Sequence, residues 1–227
     1  MTTTIEAPVT TAAPNVAVAS PSPARRVATL SLAVAVAATC AWAVTSLADA
    51  HGDGDTARLQ AIRIGLVAVW GMVGVALASR RPQEPLGLVV LAGTLVGGAG
   101  VATAGALAVE PGGTAAELVR ALAVGVLPAV ALHVVVVLPD GRFARRSHRT
   151  IVLAAYVTSV VAGLAVFAGR PAVPLWLVSI EAVVAGAAAF GVSNARYALV
   201  HGEARQRMQW FGLGVTLAAE IVLVAAA

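Results

Sequence analysis

Long apolar stretches separated by short charged turns run along this chain from residue 27 to its last position. Seven such stretches stand near 27–48, 61–79, 86–108, 118–138, 151–168, 173–195 and 209–227. Each approaches the roughly 20 residues a helix needs to cross a hydrocarbon core. None shows the apolar and polar alternation of an outer-membrane barrel strand. In lipid a spanning segment must satisfy its own backbone hydrogen bonds, which leaves the α-helix. The expected fold is all-α, a polytopic transmembrane helix bundle of about seven spans over residues 27–227. Short connections suit antiparallel neighbours, and with no internal repeat in view an inverted-repeat architecture has no support.

Residues 1–24 are rich in Thr, Ala, Pro and Ser and carry no period, so they read as a disordered tail, closed by Arg25 and Arg26. The arginine pair and the small residues of Ser46-Leu-Ala-Asp-Ala50 imitate a secretory signal. A signal's apolar core is about 7–15 residues long, however, and this run is longer, so a retained span is expected.

Composition supports the membrane reading. Of 227 residues 59% are hydrophobic and 11% charged, against about 25% charged in a soluble domain. The net charge is +4, and every one of the 15 basic residues is arginine. A basic balance can signal nucleic acid, but these arginines sit in short turns, where orientation in the membrane is the simpler explanation and no nucleic-acid partner is expected. With a cytoplasmic N-terminus the inner segments hold Arg25, Arg26, Arg80, Arg81, Arg142, Arg145, Arg146, Arg149, Arg196, Arg205 and Arg207. The outer segments then hold Arg58, Arg63, Arg120 and Arg170, four against eleven, as the positive-inside rule requires. The acidic segment from Asp49 to Asp55 and Glu110 fall outside. From Trp210 onward only 18 residues remain, about 27 Å of helix. They end without a polar anchor, so the chain reads as cut before an eighth span and a cytoplasmic domain.

The turn Leu138-Pro-Asp-Gly-Arg-Phe-Ala-Arg-Arg-Ser-His-Arg149 is the most distinctive stretch. Proline fixes φ and glycine permits positive φ, which is turn chemistry. Beyond Asp140 and the turn, Arg142, Arg145, Arg146 and Arg149 stand at i, i+3, i+4 and i+7, one basic stripe if the segment is helical. Such a stripe would touch anionic headgroups, at about 1 kcal/mol per arginine, or dock a cytoplasmic partner. The second inner turn runs from Asn194 to Trp210. There span six is expected to continue as a helix to a C′ glycine, Gly202. Glu203 then opens the next helix and pairs with Arg207 four residues on.

These turns carry a resemblance. Leu138-Pro-Asp-Gly-Arg142, a basic patch and an apolar span are followed by Ala195-Arg-Tyr197 and Gly202-Glu-Ala-Arg-Gln-Arg-Met-Gln-Trp-Phe211. Together they resemble the N-terminal membrane region of actinobacterial two-component sensor histidine kinases, as does Arg81-Pro-Gln-Glu-Pro-Leu-Gly-Leu88. The likeness covers roughly residues 80–215 in matching order. Glu84 stands where that family has Asn, Leu88 where it has Trp, and Arg207-Met208-Gln209 departs from its Gln-Leu-Lys. Neither the phospho-accepting helical domain nor the ATP-binding boxes of those kinases occur here. The resemblance therefore implies a sensing and anchoring portion, a homodimer, and a kinase module with its response-regulator pathway as partners.

Candidate chemistry inside the spans is sparse. Glu181 and Glu220 are expected near the bilayer middle and His133 in the inner half of span four. Ionisable groups there are costly and usually face the bundle interior or a wet cavity. Glu181 and Glu220 facing one another could sense protons or a cationic ligand, or carry a small transported solute; plain hydrogen bonding to neighbouring helices is the alternative. Asp49, His51, Asp53 and Asp55 lack the EF-hand spacing and read as a solvated loop with Asp55 or Thr56 capping span two. Gly93 and Gly97 form a GxxxG step for close helix packing, within the molecule or between copies. Pro128 is expected to kink span four. The single cysteine, Cys40, excludes an intramolecular disulfide. No Walker loop, HExxH, GxSxG, dinucleotide fingerprint or CxxC occurs. No enzyme activity of this chain alone, no cofactor and no metal are expected.

Overall fold

The computed structural model describes residues 22–49, 54–139, 141–170, 175–203, 205–206 and 208–210. Six long helices fill them: α1 (Pro23–Asp49), α2 (Gly54–Arg80), α3 (Leu86–Val109), α4 (Thr114–Val137), α5 (Arg146–Ala168) and α6 (Leu175–Tyr197). All six are long and apolar enough to cross a membrane, and the described residues contain no strand. By length and composition this is a multi-pass helical membrane bundle. The expected seventh stretch, 209–227, lies almost wholly outside the described residues.

Local chemistry sets the helix ends. Arg81 precedes Pro82, which disfavours helical backbone at Arg81, and α2 stops at Arg80. Pro85 opens α3, with its carbonyl accepting from Leu88 N at 3.0 Å and Val89 N at 3.1 Å. Gly113 leads α4, and Glu117 in the first turn suits the positive end of the helix dipole. The helices overrun the apolar stretches: α2 begins at Gly54 and α5 at Arg146. Hydropathy marks only the greasy part of a helix, while the backbone pattern continues through polar residues at the interface. Asp55 and Thr56 accordingly lie within the first turn of α2 and not ahead of it, so neither occupies the expected capping position.

Cross-helix contacts fix the arrangement. Gly98 packs on Thr39 and Val67, and Gly105 on Ser46 and Gln60, so α1 and α3 run parallel with α2 antiparallel to both. Gln60 Nε2 donates to Val101 O at 2.8 Å, tying α2 to α3. Gly93 faces Val130 and Gly97 faces Leu127, both on α4. α4 and α5 come into backbone contact where they cross: a Cβ on Gly125 would lie 2.7 Å from Ser159 O and 2.8 Å from Gly163 Cα. Small residues let helices approach where no hydrophobic force drives them together. α3 and α4 form the centre; α3 touches α1, α2 and α4, and α4 touches α5 and α6 as well. Pro128 lies inside α4, which continues to Val137.

Large apolar side chains cover the outside, among them Val34, Met72, Leu153, Val183 and Phe190. In water this much exposed apolar surface would drive association; facing lipid it is at home. The helix directions send the turns 81–85 and 138–145, the start of α1 and the end of α6 to one end of the bundle. The turn 110–113, the end of α5 and the start of α6 go to the other. Among the described residues the first end carries ten arginines and the second four.

Candidate functional site

At the arginine-rich end the distinctive turns meet. Leu138, with ψ 148°, and Pro139 lead the chain out of α4, and Gly141 N donates back to Val137 O at 2.8 Å. Gly141 is buried with φ +80°, a backbone conformation glycine adopts freely. Its Cα rests on the first residue of α3: a Cβ there would strike Leu86 N and stand 3.0 Å from Leu86 Cα and from Pro85 Cδ. Beneath this contact Leu86, Val90, Val134, Val137 and Leu138 form one buried cluster. The Arg81–Leu88 segment and the Leu138–Arg149 turn are thus one packed surface.

Two further arginines tie into it. Arg25 Nη1 donates to Pro82 O at 2.5 Å, holding the start of α1 against the α2–α3 turn. Arg196 Nη1 donates to Val136 O, also at 2.5 Å, satisfying a carbonyl of α4's last turn from the end of α6. The Arg81–Glu84 ion pair, 2.9 Å, lies partly exposed at the rim.

The basic stripe takes a different form from the one its spacing suggests. Arg145 is extended (φ −140°, ψ 154°) and precedes α5, so only Arg146 and Arg149 are helical while Arg142 and Arg145 lie in the turn. The reason is visible in the turn itself. Phe143 stacks on His133, with ring centroids 5.5 Å apart and planes 5° from parallel. A helix running through Arg142 would carry Phe143 off that ring. Arg142, Arg145, Arg146 and Arg149 are all exposed. Asp140 lies outside the described residues.

His133 is the anchor of this corner. Four residues before its end, α4 presents His133 to Phe143 of the turn and to Tyr156 of α5, with Nδ1 3.1 Å from the Tyr156 hydroxyl and the His133 and Tyr156 rings edge-on. His133 therefore sits among aromatic partners from the turn and from α5.

Glu181 lies six residues after Leu175 and sixteen before Tyr197. It stands between the arginine-poor end of α6 and the midpoint of that helix. Its partner is Ser159 of α5, whose hydroxyl donates to Glu181 Oε1. Ser159 is fully buried, because Gly125 and Gly163 bring α4 and α5 into backbone contact beside it. Glu181 Oε2 is buried without a hydrogen-bond partner among the described residues. The expected pairing with Glu220 lies outside the described residues, as does that of Glu203 with Arg207.

Gly202 also departs from expectation. α6 ends at Tyr197, and Gly202, with φ +60°, offers its carbonyl to Arg205 N at 3.1 Å and Gln206 N at 3.2 Å. It starts the next helical turn and does not close α6. Arg205 lies over the Tyr197 ring, 4.5 Å from its centroid, and Gln209 donates to the Tyr197 hydroxyl at 2.7 Å. These contacts order the segment after α6 against its last turn.

Ser159, Tyr156, Phe143 and Arg25 are the members sequence reading missed. A serine and a tyrosine in an apolar span were the available signals, but neither names its partner. Among the described residues no group of three or more His, Cys, Asp or Glu side chains is placed to hold a metal. Of the acidic loop, His51 and Asp53 lie outside the described residues. No protein-family model matches the chain, and comparisons with curated proteins and with solved structures return no match either.

Proposed function

We propose that this chain is the membrane-embedded sensory and anchoring portion of a signalling protein of the two-component kind, with its N-terminus and arginine-rich turns on the cytoplasmic side. Residues beyond α6 form a further span in this reading. The supporting observation is the Gly141–Leu86 contact. It joins, into one surface, two of the three segments that carry the resemblance to sensor histidine kinases, and exposed Arg142, Arg145, Arg146 and Arg149 flank it. That surface suits anionic headgroups and a cytoplasmic kinase module as partners. A stimulus would act only by binding two packings of the bundle with different affinity. Two measurements test the reading. A reporter fused after Arg145 should be active only as a cytoplasmic reporter; activity in the extracytoplasmic space overturns the orientation. The coding sequence past codon 227 should continue into a dimerisation and ATP-binding module; a stop followed by an unrelated gene overturns the signalling assignment.

A permeation protein is the rival, favoured by the Ser159–Glu181 pair with its unpartnered Oε2. It requires solute uptake into proteoliposomes that Glu181→Gln abolishes.

A further inference from the structure

At the arginine-poor end, a cavity of about 350 Å³ opens between the α3–α4 turn and the end of α5. Leu107, Val124, Val166 and Phe167 supply an apolar wall. Glu117, Arg120 and Arg170 supply its charges, two cationic and one anionic. The carboxylate is already committed: Glu117 forms an ion pair with Arg170. Arg170 is further held by its own chain, with Nε donating to Phe167 O at 2.7 Å and the guanidinium 3.8 Å above the Phe167 ring. Arg120 stands apart from this pair, exposed and without an acceptor among the described residues. It lies six residues into α4, about 9 Å along the helix from Thr114. A guanidinium at that depth favours an anion over bare apolar surroundings.

We infer that this cavity is a binding site for a small anionic amphiphile, its carboxylate or phosphate head on Arg120 and its apolar arm against Leu107, Val124 and Phe167. The net positive charge selects an anion, and the wall selects an apolar body. The volume is near the lower end of the roughly 300–1,000 Å³ of small-molecule sites, which favours a single chain or ring. The site lies at the boundary between the spans and their turns, so the same head chemistry is available from a free acid and from an anionic lipid. Binding here does not depend on the signalling assignment above.

The test uses the full chain in phosphatidylcholine nanodiscs with decanoate as probe. Decanoate should raise the unfolding temperature saturably, and decanol, with the same chain and no charge, should not. Arg120→Gln should weaken the decanoate response about tenfold or more, the loss expected of a charge-assisted contact. Arg26→Gln, at the opposite end, should leave it unchanged. Val124→Trp, which fills the cavity and keeps every charge, should abolish it, and it decides the matter if Arg120→Gln does not fold. Replacing part of the phosphatidylcholine by phosphatidylglycerol separates the sources. Arg120-dependent suppression of the decanoate response identifies the lipid headgroup as occupant; an undiminished response identifies a free acid. No saturable shift in the parent chain, an equal shift with decanol, or an equal response in Arg120→Gln overturns the site.

Discussion

Alanine at position 141 should be far more damaging than alanine at position 202, although both sites are glycines with positive φ. Gly202 (φ +60°) has nothing within 4 Å of where a Cβ would stand. Its replacement costs only the left-handed backbone term, about 1–2 kcal/mol. Gly141 (φ +80°) carries that term too, and its Cβ would strike backbone, Leu86 N and Cα, which cannot rotate away. Overpacking against an immobile neighbour adds about 1–3 kcal/mol. Gly141→Ala is therefore expected to destabilise by about 2–5 kcal/mol, unless the turn lifts off α3 to relieve it. Lifting has its own signature, because it separates Phe143 from His133 and exposes Leu86. Reversible unfolding in mixed micelles reads the stability difference. A cysteine at position 143, in a Cys40→Ser background, reads the lifting through its labelling rate. Equal destabilisation by the two alanines, within about 0.5 kcal/mol, together with unchanged labelling at position 143, would refute the packed-turn geometry.

Gly125→Ala should destabilise by about 1–3 kcal/mol, since its Cβ meets Ser159 O and Gly163 backbone at 2.7–2.8 Å; Gly186→Ala, with open space around it, is the matched control in the same unfolding assay. Ser159→Ala should cost about 0.6–1.7 kcal/mol, the range for hydrogen bonds between membrane helices. In a double-mutant cycle its coupling to Glu181→Gln should be clearly non-zero; additivity would remove the pair. Arg196→Ala, which strips a donor from the Val136 carbonyl, should cost about 1.5–3 kcal/mol. Arg81→Ala, at the exposed rim, should stay within about 1 kcal/mol, and high salt should erase the difference.

Much of the architecture was legible because lipid demands it: a continuous apolar run becomes a helix, and its length places the turns. The resolved helices occupy the first six apolar stretches. The faces of those helices were much harder to read. A soluble helix shows its buried side by an apolar stripe, but here lipid-facing Val34 and buried Val36 are chemically alike. Small residues partly replace that signal: Gly93 and Gly97, notable in the sequence, both lie against α4. The polar contacts were illegible for a different reason. Ser159 and Glu181 are 22 residues apart, and His133 and Tyr156 are 23 apart. Each pairing depends on the relative rotation of two helices, which no local pattern encodes; for His133 and Tyr156 the Gly125–Gly163 crossing of α4 and α5 sets it. The stripe of arginines failed at short range instead, because helical spacing does not guarantee a helix where a tertiary contact such as Phe143 on His133 competes.

Several of the features with chemistry meet on α4. Glu117 and Arg120 line the cavity near its start, Gly125 sets the crossing that buries Ser159, and Val130 receives Gly93. His133 holds the Phe143 turn, and Val136 O takes the Arg196 guanidinium. A helix packed against α3, α5 and α6 cannot shift at one end without repacking along its length, because packed cores are bistable and not continuously deformable. Substitutions along α4 therefore separate two kinds of protein. If the two ends are energetically independent, Arg120→Gln and His133→Phe will have additive effects on stability, as residues far apart without shared partners do. Should α4 carry force between them, the pair will deviate from additivity by more than about 0.5 kcal/mol despite their separation. Coupling of that size is the minimum any signalling role for this bundle requires, and its absence would leave an anchor with a binding site.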